Sequence, residues 1–109
     1  MESFLRVSTG SDTVVVDAAP LLMRGYYFTN TNLLSFRYVH FFDRTGTAGG
    51  MNNVLWTVAL PSESGSNVSW ENGIEFENGL VIAYSTSPSS IVAVASEEVV
   101  GNIFYDETV

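Results

Sequence analysis

A β-sandwich of eight to ten short antiparallel strands is the fold this sequence predicts, and three observations predict it. Strand-forming residues come in short blocks separated by Gly, Asn, Ser, Thr and Pro, at the intervals typical of sandwiches and barrels. The best blocks alternate with the period of two that a strand demands. Two Asn-Gly pairs, Asn72-Gly73 and Asn78-Gly79, supply the strongest short-range turn signal, because both central residues of a type I′ turn need positive φ. At 109 residues the chain is the size of one domain, 1–109, and its 46% hydrophobic and 13% aromatic content is apolar surface enough to offset ordering entropy.

The blocks place strands at 3–7, 13–17, 24–29, 35–43, 54–60, 67–70, 74–77, 80–85, 91–95 and 100–105. In 35–43, Phe36, Tyr38, His40 and Phe42 share one face and Arg37, Val39 and Phe41 the other. Both faces are partly apolar, so the strand is expected in the middle of a sheet, with its second face against another layer or subunit. In 54–60, Val54, Trp56, Val58 and Leu60 fall on one side, and Pro61 ends the strand because it cannot donate to the ladder. The stretch from Ser69 to Leu80 reads either as a three-strand meander closed by its Asn-Gly pairs or as a corner between sheets. Stretches 45–53, 61–66 and 85–90, rich in Gly, Ser and Thr, read as exposed loops. A jelly roll and an immunoglobulin-like topology both fit this string of strands, and the jelly roll is the expectation.

Charge narrows the function. Twelve acidic residues face four cations, all Arg (Arg6, Arg24, Arg37, Arg44), for a formal net charge of −8. Nucleic acid and anionic membranes are both engaged through clustered Lys and Arg, so neither is an expected partner. Without cysteine there are no disulfides or thiolate metal sites. The N-terminal stretch lacks the basic and long apolar regions of a secretory signal, and no apolar run approaches the roughly 20 residues of a membrane-spanning helix.

No catalytic, cofactor or metal residues are expected. The one histidine, His40, lies in an aromatic strand face with Asp43 nearby, but no G-x-S-x-G elbow accompanies it, and it reads as a packed residue with satisfied ring nitrogens. Zinc would need further nitrogen or sulfur ligands. Glu71, Glu75 and Glu77 supply oxygens but not the D-x-D-x-D-G arrangement of a calcium loop, and read as a solvated face. Phosphate-cradling glycine motifs are absent. Asn67-Val68-Ser69 matches a glycosylation triplet of the kind that arises by chance. Tyr26, Tyr27, Trp56, Trp70 and Tyr84 could form a sugar-stacking platform, although in small sandwiches such residues are more often core or interface.

Arg24 to Asn32, with Tyr26 followed by Asn30-Thr31-Asn32, leads into Arg37-Tyr38-Val39-His40-Phe41-Phe42-Asp43. Leu60-Pro61, the run Gly73 to Thr86 and Gly101-Asn102-Ile103-Phe104-Tyr105 follow in order. This succession resembles the small β-sandwich virion structural proteins of tailed bacteriophages, over residues 24–105. The departure is at Ser87-Pro88-Ser89-Ser90, where the family carries a longer Asp- and Thr-rich loop. The resemblance implies architecture and assembly, with no catalytic residue to carry over. It points to a capsid decoration or cement protein, made in the host cytoplasm, that clamps major capsid protein on the outer surface of the head. A homotrimer is expected if copies cluster at three-fold positions, and Arg37, Tyr38 and Phe41 are the expected interface residues, since interfaces favour aromatics and Arg. The alternatives are a tail-fibre or spike head, a carbohydrate-binding receptor module, and a small hydrolase built on His40; the short chain favours decoration.

Overall fold

The computed structural model describes residues 1–9 and 13–107. Eight strands lie among them: β1 (Glu2–Val7), β2 (Val14–Asp17), β3 (Leu21–Asn30), β4 (Arg37–Asp43), β5 (Val54–Leu60), β6 (Ser64–Phe76), β7 (Leu80–Ser85) and β8 (Val99–Glu107). They form two antiparallel four-stranded sheets, ordered β1-β8-β3-β6 and β2-β7-β4-β5. Only β4 and β5 are consecutive neighbours in a sheet; every other link crosses between sheets, which is the winding of a jelly roll. Among the described residues no helix is long and apolar enough to cross a membrane.

The core lies between the sheets. Tyr26, Phe28, Ile103 and Tyr105 of the first sheet meet Val39, Phe41, Leu60, Ile82 and Tyr84 of the second. Phe28 is ringed by Tyr26, Phe41 and Tyr84 at 5.0, 5.9 and 5.9 Å between centroids, and Phe41 stacks on Trp56 at 4.7 Å. A second, smaller cluster covers the outside of the β2-β7-β4-β5 sheet. There Phe42, Val81 and Ala83 are roofed by Ala48, Met51 and Ile91 from the loops. This explains why both faces of β4 are apolar: the second layer is the chain's own loops.

Two bulges alter the expected alternation. Phe41 pairs with Trp56 but Phe42 pairs with Val54, leaving Leu55 bulged and half-exposed. Val54 therefore turns to the Phe42 side, whereas Trp56, Val58 and Leu60 face the core, so these four residues do not share one face. In β3 the register breaks between Met23 and Gly25, so that Leu21 and Met23 point inward before the break and Tyr26, Phe28 and Asn30 after it. Opposite this break β6 carries the extra residues 70–73. Arg24 closes the gap by donating to the Glu71 carbonyl (2.8 Å) and the Asp106 carboxylate (2.7 Å).

Neither Asn-Gly pair makes a hairpin. Gly73, at φ +74°, sits inside the β6 bulge, so the expected strands 67–70 and 74–77 are one strand. Asn78-Gly79 is the corner between sheets, held by Asp43, whose carboxylate accepts the N–H groups of Glu77, Asn78 and Gly79 at 3.1, 2.8 and 3.3 Å.

The expected strand 91–95 is not a strand. Its neighbours in sequence, β7 and β8, are each paired on both sides, which leaves no edge for it to join. It crosses the end of the sandwich as a loop, burying Val94 in the main core. Side chains tie it down. Ser85 Oγ donates to Ser90 O (2.7 Å) and accepts from the N–H groups of Ser87 (3.1 Å) and Val92 (3.0 Å), while Ser8 Oγ donates to Ala95 O (2.6 Å).

Candidate functional site

His40 is fully buried on the outer side of the β2-β7-β4-β5 sheet, beneath the 87–90 loop. Its Nε2 lies 3.0 Å from Ser87 O and 3.2 Å from Ser90 O, and its Nδ1 lies 2.7 Å from Thr57 Oγ1. Carbonyls only accept, so Nε2 carries the proton and Nδ1 accepts from the Thr57 hydroxyl. Nε2 thus holds the loop, while Nδ1 is satisfied by Thr57 on the neighbouring strand β5. Asp43 is committed to the Asn78-Gly79 corner, so no histidine–carboxylate pair forms. Among the described residues no three His, Cys, Asp or Glu side chains gather as a metal site, and Glu71, Glu75 and Glu77 are exposed.

Burial lowers the pKa of His40, and the hydrogen bonds to the Ser87 and Ser90 carbonyls only partly oppose this. Below about pH 6.5 the unfolded chain takes up a proton that the folded chain refuses. Stability is therefore full above that pH and declines as pH falls toward the lowered folded value. Urea unfolding at pH 7 and pH 5 should show the loss, and His40→Gln should remove its share of the slope; equal slopes in the two proteins would refute the assignment.

The expected interface residues are dispersed. Phe41 is fully buried between the sheets and offers a partner no surface, which corrects its expected role: it alternates inward with Val39. Arg37 is held by the Glu98 carboxylate, and Tyr38 stacks on Phe36 at 6.2 Å. What stands exposed instead is the β3–β4 loop beside them. Leu33, Leu34 and Phe36 are 68%, 91% and 48% exposed.

That loop is wired from within. Asn30, fully buried, shares its amide hydrogens among the carbonyls of Ser35 (3.0 Å), Leu60 (3.0 Å) and Pro61 (3.2 Å), and its Oδ1 accepts the Asn32 N–H (2.9 Å). Asn32 Oδ1 accepts from the N–H groups of Leu34 (2.9 Å) and Ser35 (2.7 Å), and its amide donates to Glu98 (3.2 Å). The loop's apolar side chains are therefore displayed on an ordered frame.

A second surface lies on the outside of the β1-β8-β3-β6 sheet, where a cleft of about 910 Å³ is lined by Tyr27, Asn67, Ser69, Phe104, Arg24 and Asp106, among others. Gly25 forms part of its wall because β3 and β6 approach so closely there that a Cβ would come within 2.5 Å of the Val68 carbonyl oxygen. The hydrogen bond from Arg24 holds the Asp106 carboxyl below its usual pKa, so the pair stays ionised and mutually neutralised. Of the five aromatics that could have formed a stacking platform, Tyr26, Trp56, Trp70 and Tyr84 pack on the core. Tyr27 alone stands out, 41% exposed. Of the Asn67-Val68-Ser69 triplet in β6, Asn67 and Ser69 stand on this same face and Val68 packs on the core.

The chain matches no protein-family model, no curated protein and no solved structure.

Proposed function

We propose that the protein is a virion structural protein, a decoration protein that docks on major capsid protein at the outer surface of a tailed-phage head and performs no catalysis. The observation that carries this reading is the rigid β3–β4 loop with its exposed Leu33, Leu34 and Phe36. An ordered loop loses little further entropy on docking, and burying a leucine against a partner contributes about 1.5–3 kcal/mol. The motif succession across residues 24–105 supports the virion assignment. A closed trimer is the assembly proposed, since it suits three-fold positions on a shell.

The test is electron cryomicroscopy of purified particles, combined with rebinding of wild-type and Leu34→Asp protein to shells stripped of it. Stoichiometric density on the head with this loop against capsid protein is the expected result. Leu34→Asp should fold with stability within about 0.5 kcal/mol of wild type, as surface changes do. Its affinity for shells should drop at least tenfold, the equivalent of about 1.4 kcal/mol. Particles that lack the chain on their heads, or undiminished rebinding by Leu34→Asp, would overturn the proposal.

A further inference from the structure

We infer that the outer face of the β1-β8-β3-β6 sheet is a binding site for a neutral oligosaccharide, centred on Tyr27 between Asn67 and Asn102. The register sets these three side chains in one row, because Tyr27 pairs with Asn67 on β6 and with Asn102 on β8. Adjacent strands lie about 4.8 Å apart, so the row spans roughly 10 Å of rigid scaffold. An aromatic ring with an amide on either side suits a sugar, which offers an apolar C–H face to a ring and hydroxyls at its edge that both donate and accept. The Asn102 amide reaches the Tyr27 hydroxyl at 3.4 Å, which leaves its carbonyl oxygen open to a ligand hydroxyl. The next row, Phe104, Gly25 and Ser69, has no side chain at its centre, and this opens the trough of about 910 Å³ between Tyr27 and the Arg24–Asp106 pair. Such a volume is that of a small-molecule cleft.

Charge identifies the class of sugar. Three consecutive rows across the sheet carry no charged side chain: Ser3-Phe104-Gly25-Ser69, Leu5-Asn102-Tyr27-Asn67 and Val7-Val100-Thr29-Gly65. The acidic residue at the end of the trough, Asp106, is paired with Arg24 and the N-terminal amine, so three uncharged rows bordered by a neutralised cluster, on a molecule of net charge −8, suit a neutral ligand and repel sialylated or sulfated ones. This surface is separate from the β3–β4 loop, so the inference stands or falls apart from the docking proposal.

The intact protein would be screened on an array of neutral hexose, deoxyhexose and N-acetylhexosamine tri- to pentasaccharides, with sialylated and sulfated sugars alongside. Hits would be titrated into labelled protein by NMR. Expected are shifts at Tyr27, Asn67 and Asn102, a loss on the order of tenfold or more in affinity for Tyr27→Ala, a similar loss for Asn102→Ala, and unchanged binding by Leu34→Asp. Three results would overturn the inference: no array member shifting these residues at about 10 mM, binding indifferent to Tyr27→Ala, or a sedimenting oligomer that Tyr27→Arg dissolves, since the face would then be covered by a second copy.

Discussion

Replacing Gly101 by alanine should destabilise the protein by about 3 kcal/mol, toward the upper end of what an overpacked core costs. Gly101 pairs with Phe28 on β3, and the Phe28 ring lies over it. A Cβ built there falls 2.1 Å from Phe28 Cδ1 and 2.6 Å from Cε1. The ring cannot simply step aside, because it is fully buried among Tyr26, Phe41 and Tyr84. The Cβ would also fall 2.7 Å from the Tyr27 carbonyl oxygen, so the backbone entropy gain of about 0.5–1 kcal/mol from alanine does not offset the clashes. For a domain of this size 1 kcal/mol is worth about 4–8 °C, which puts the expected fall in melting temperature above 10 °C. Adding Phe28→Leu removes the ring contact though not the one to the Tyr27 carbonyl, so the double variant should be more stable than the sum of the single losses by about 1 kcal/mol. Additive losses would show that the ring and the glycine are not coupled.

The same contact shows where the sequence was legible and where it was not. Alternation and turn residues were enough for the sandwich and for most strands, because each of those signals is local. Pairing is not local. The motifs at 28–32, 43, 60–61, 77–79 and 101–102 read as separate strand ends, yet in the fold they hold one another. Asn30 reaches Leu60 and Pro61, Asp43 caps Glu77 to Gly79, and Gly101 receives Phe28. Nothing in the spacing along the chain announces those partners.

Misreadings have the same origin. The bulges at Leu55 and Arg24 change which face follows, and a bulge is a mismatch between two strands that neither strand's sequence carries alone. Segment 91–95 has strand chemistry, but the topology had already filled both edges beside it. Phe41 reads as an interface residue because interfaces favour aromatics, but it faces the other sheet; the second face of β4 is covered by Ala48 and Met51, from a stretch that reads as an exposed loop, and by Ile91, from one that reads as a strand. The row centred on Tyr27 depends on register still more strongly. Asn67, Tyr27 and Asn102 are unremarkable polar and aromatic residues until two strand pairings align them.

Asn30→Asp should be the most damaging near-isosteric change in the molecule, and its pH dependence should identify the cause. The substitution swaps an amide that donates to three carbonyls for an oxygen that can only accept, at a fully buried position. An ionised carboxylate there faces the Ser35, Leu60 and Pro61 oxygens with no cation among the atoms that Asn30 bonds. The expected loss at pH 7 is about 3–5 kcal/mol, the range for an uncompensated buried charge. Protonation restores a donor, so the new carboxyl's folded pKa must lie above its unfolded value of about 3.9. By linkage the penalty is relieved as pH falls through the raised folded pKa, and is least below about pH 4. The difference between variant and wild type should therefore narrow on acidification, whereas His40 makes the wild type itself less stable in that direction. Loss of the Asn30 frame should also speed amide exchange at Leu34 and Ser35 and weaken shell binding even where the sandwich stays folded, because a slack loop must be ordered again on docking. If the variant matched wild type in stability at pH 7, Asn30 would not be the anchor of the loop. If it lost stability yet kept protected amides and full shell binding, the anchoring would be real but the docking surface would lie elsewhere.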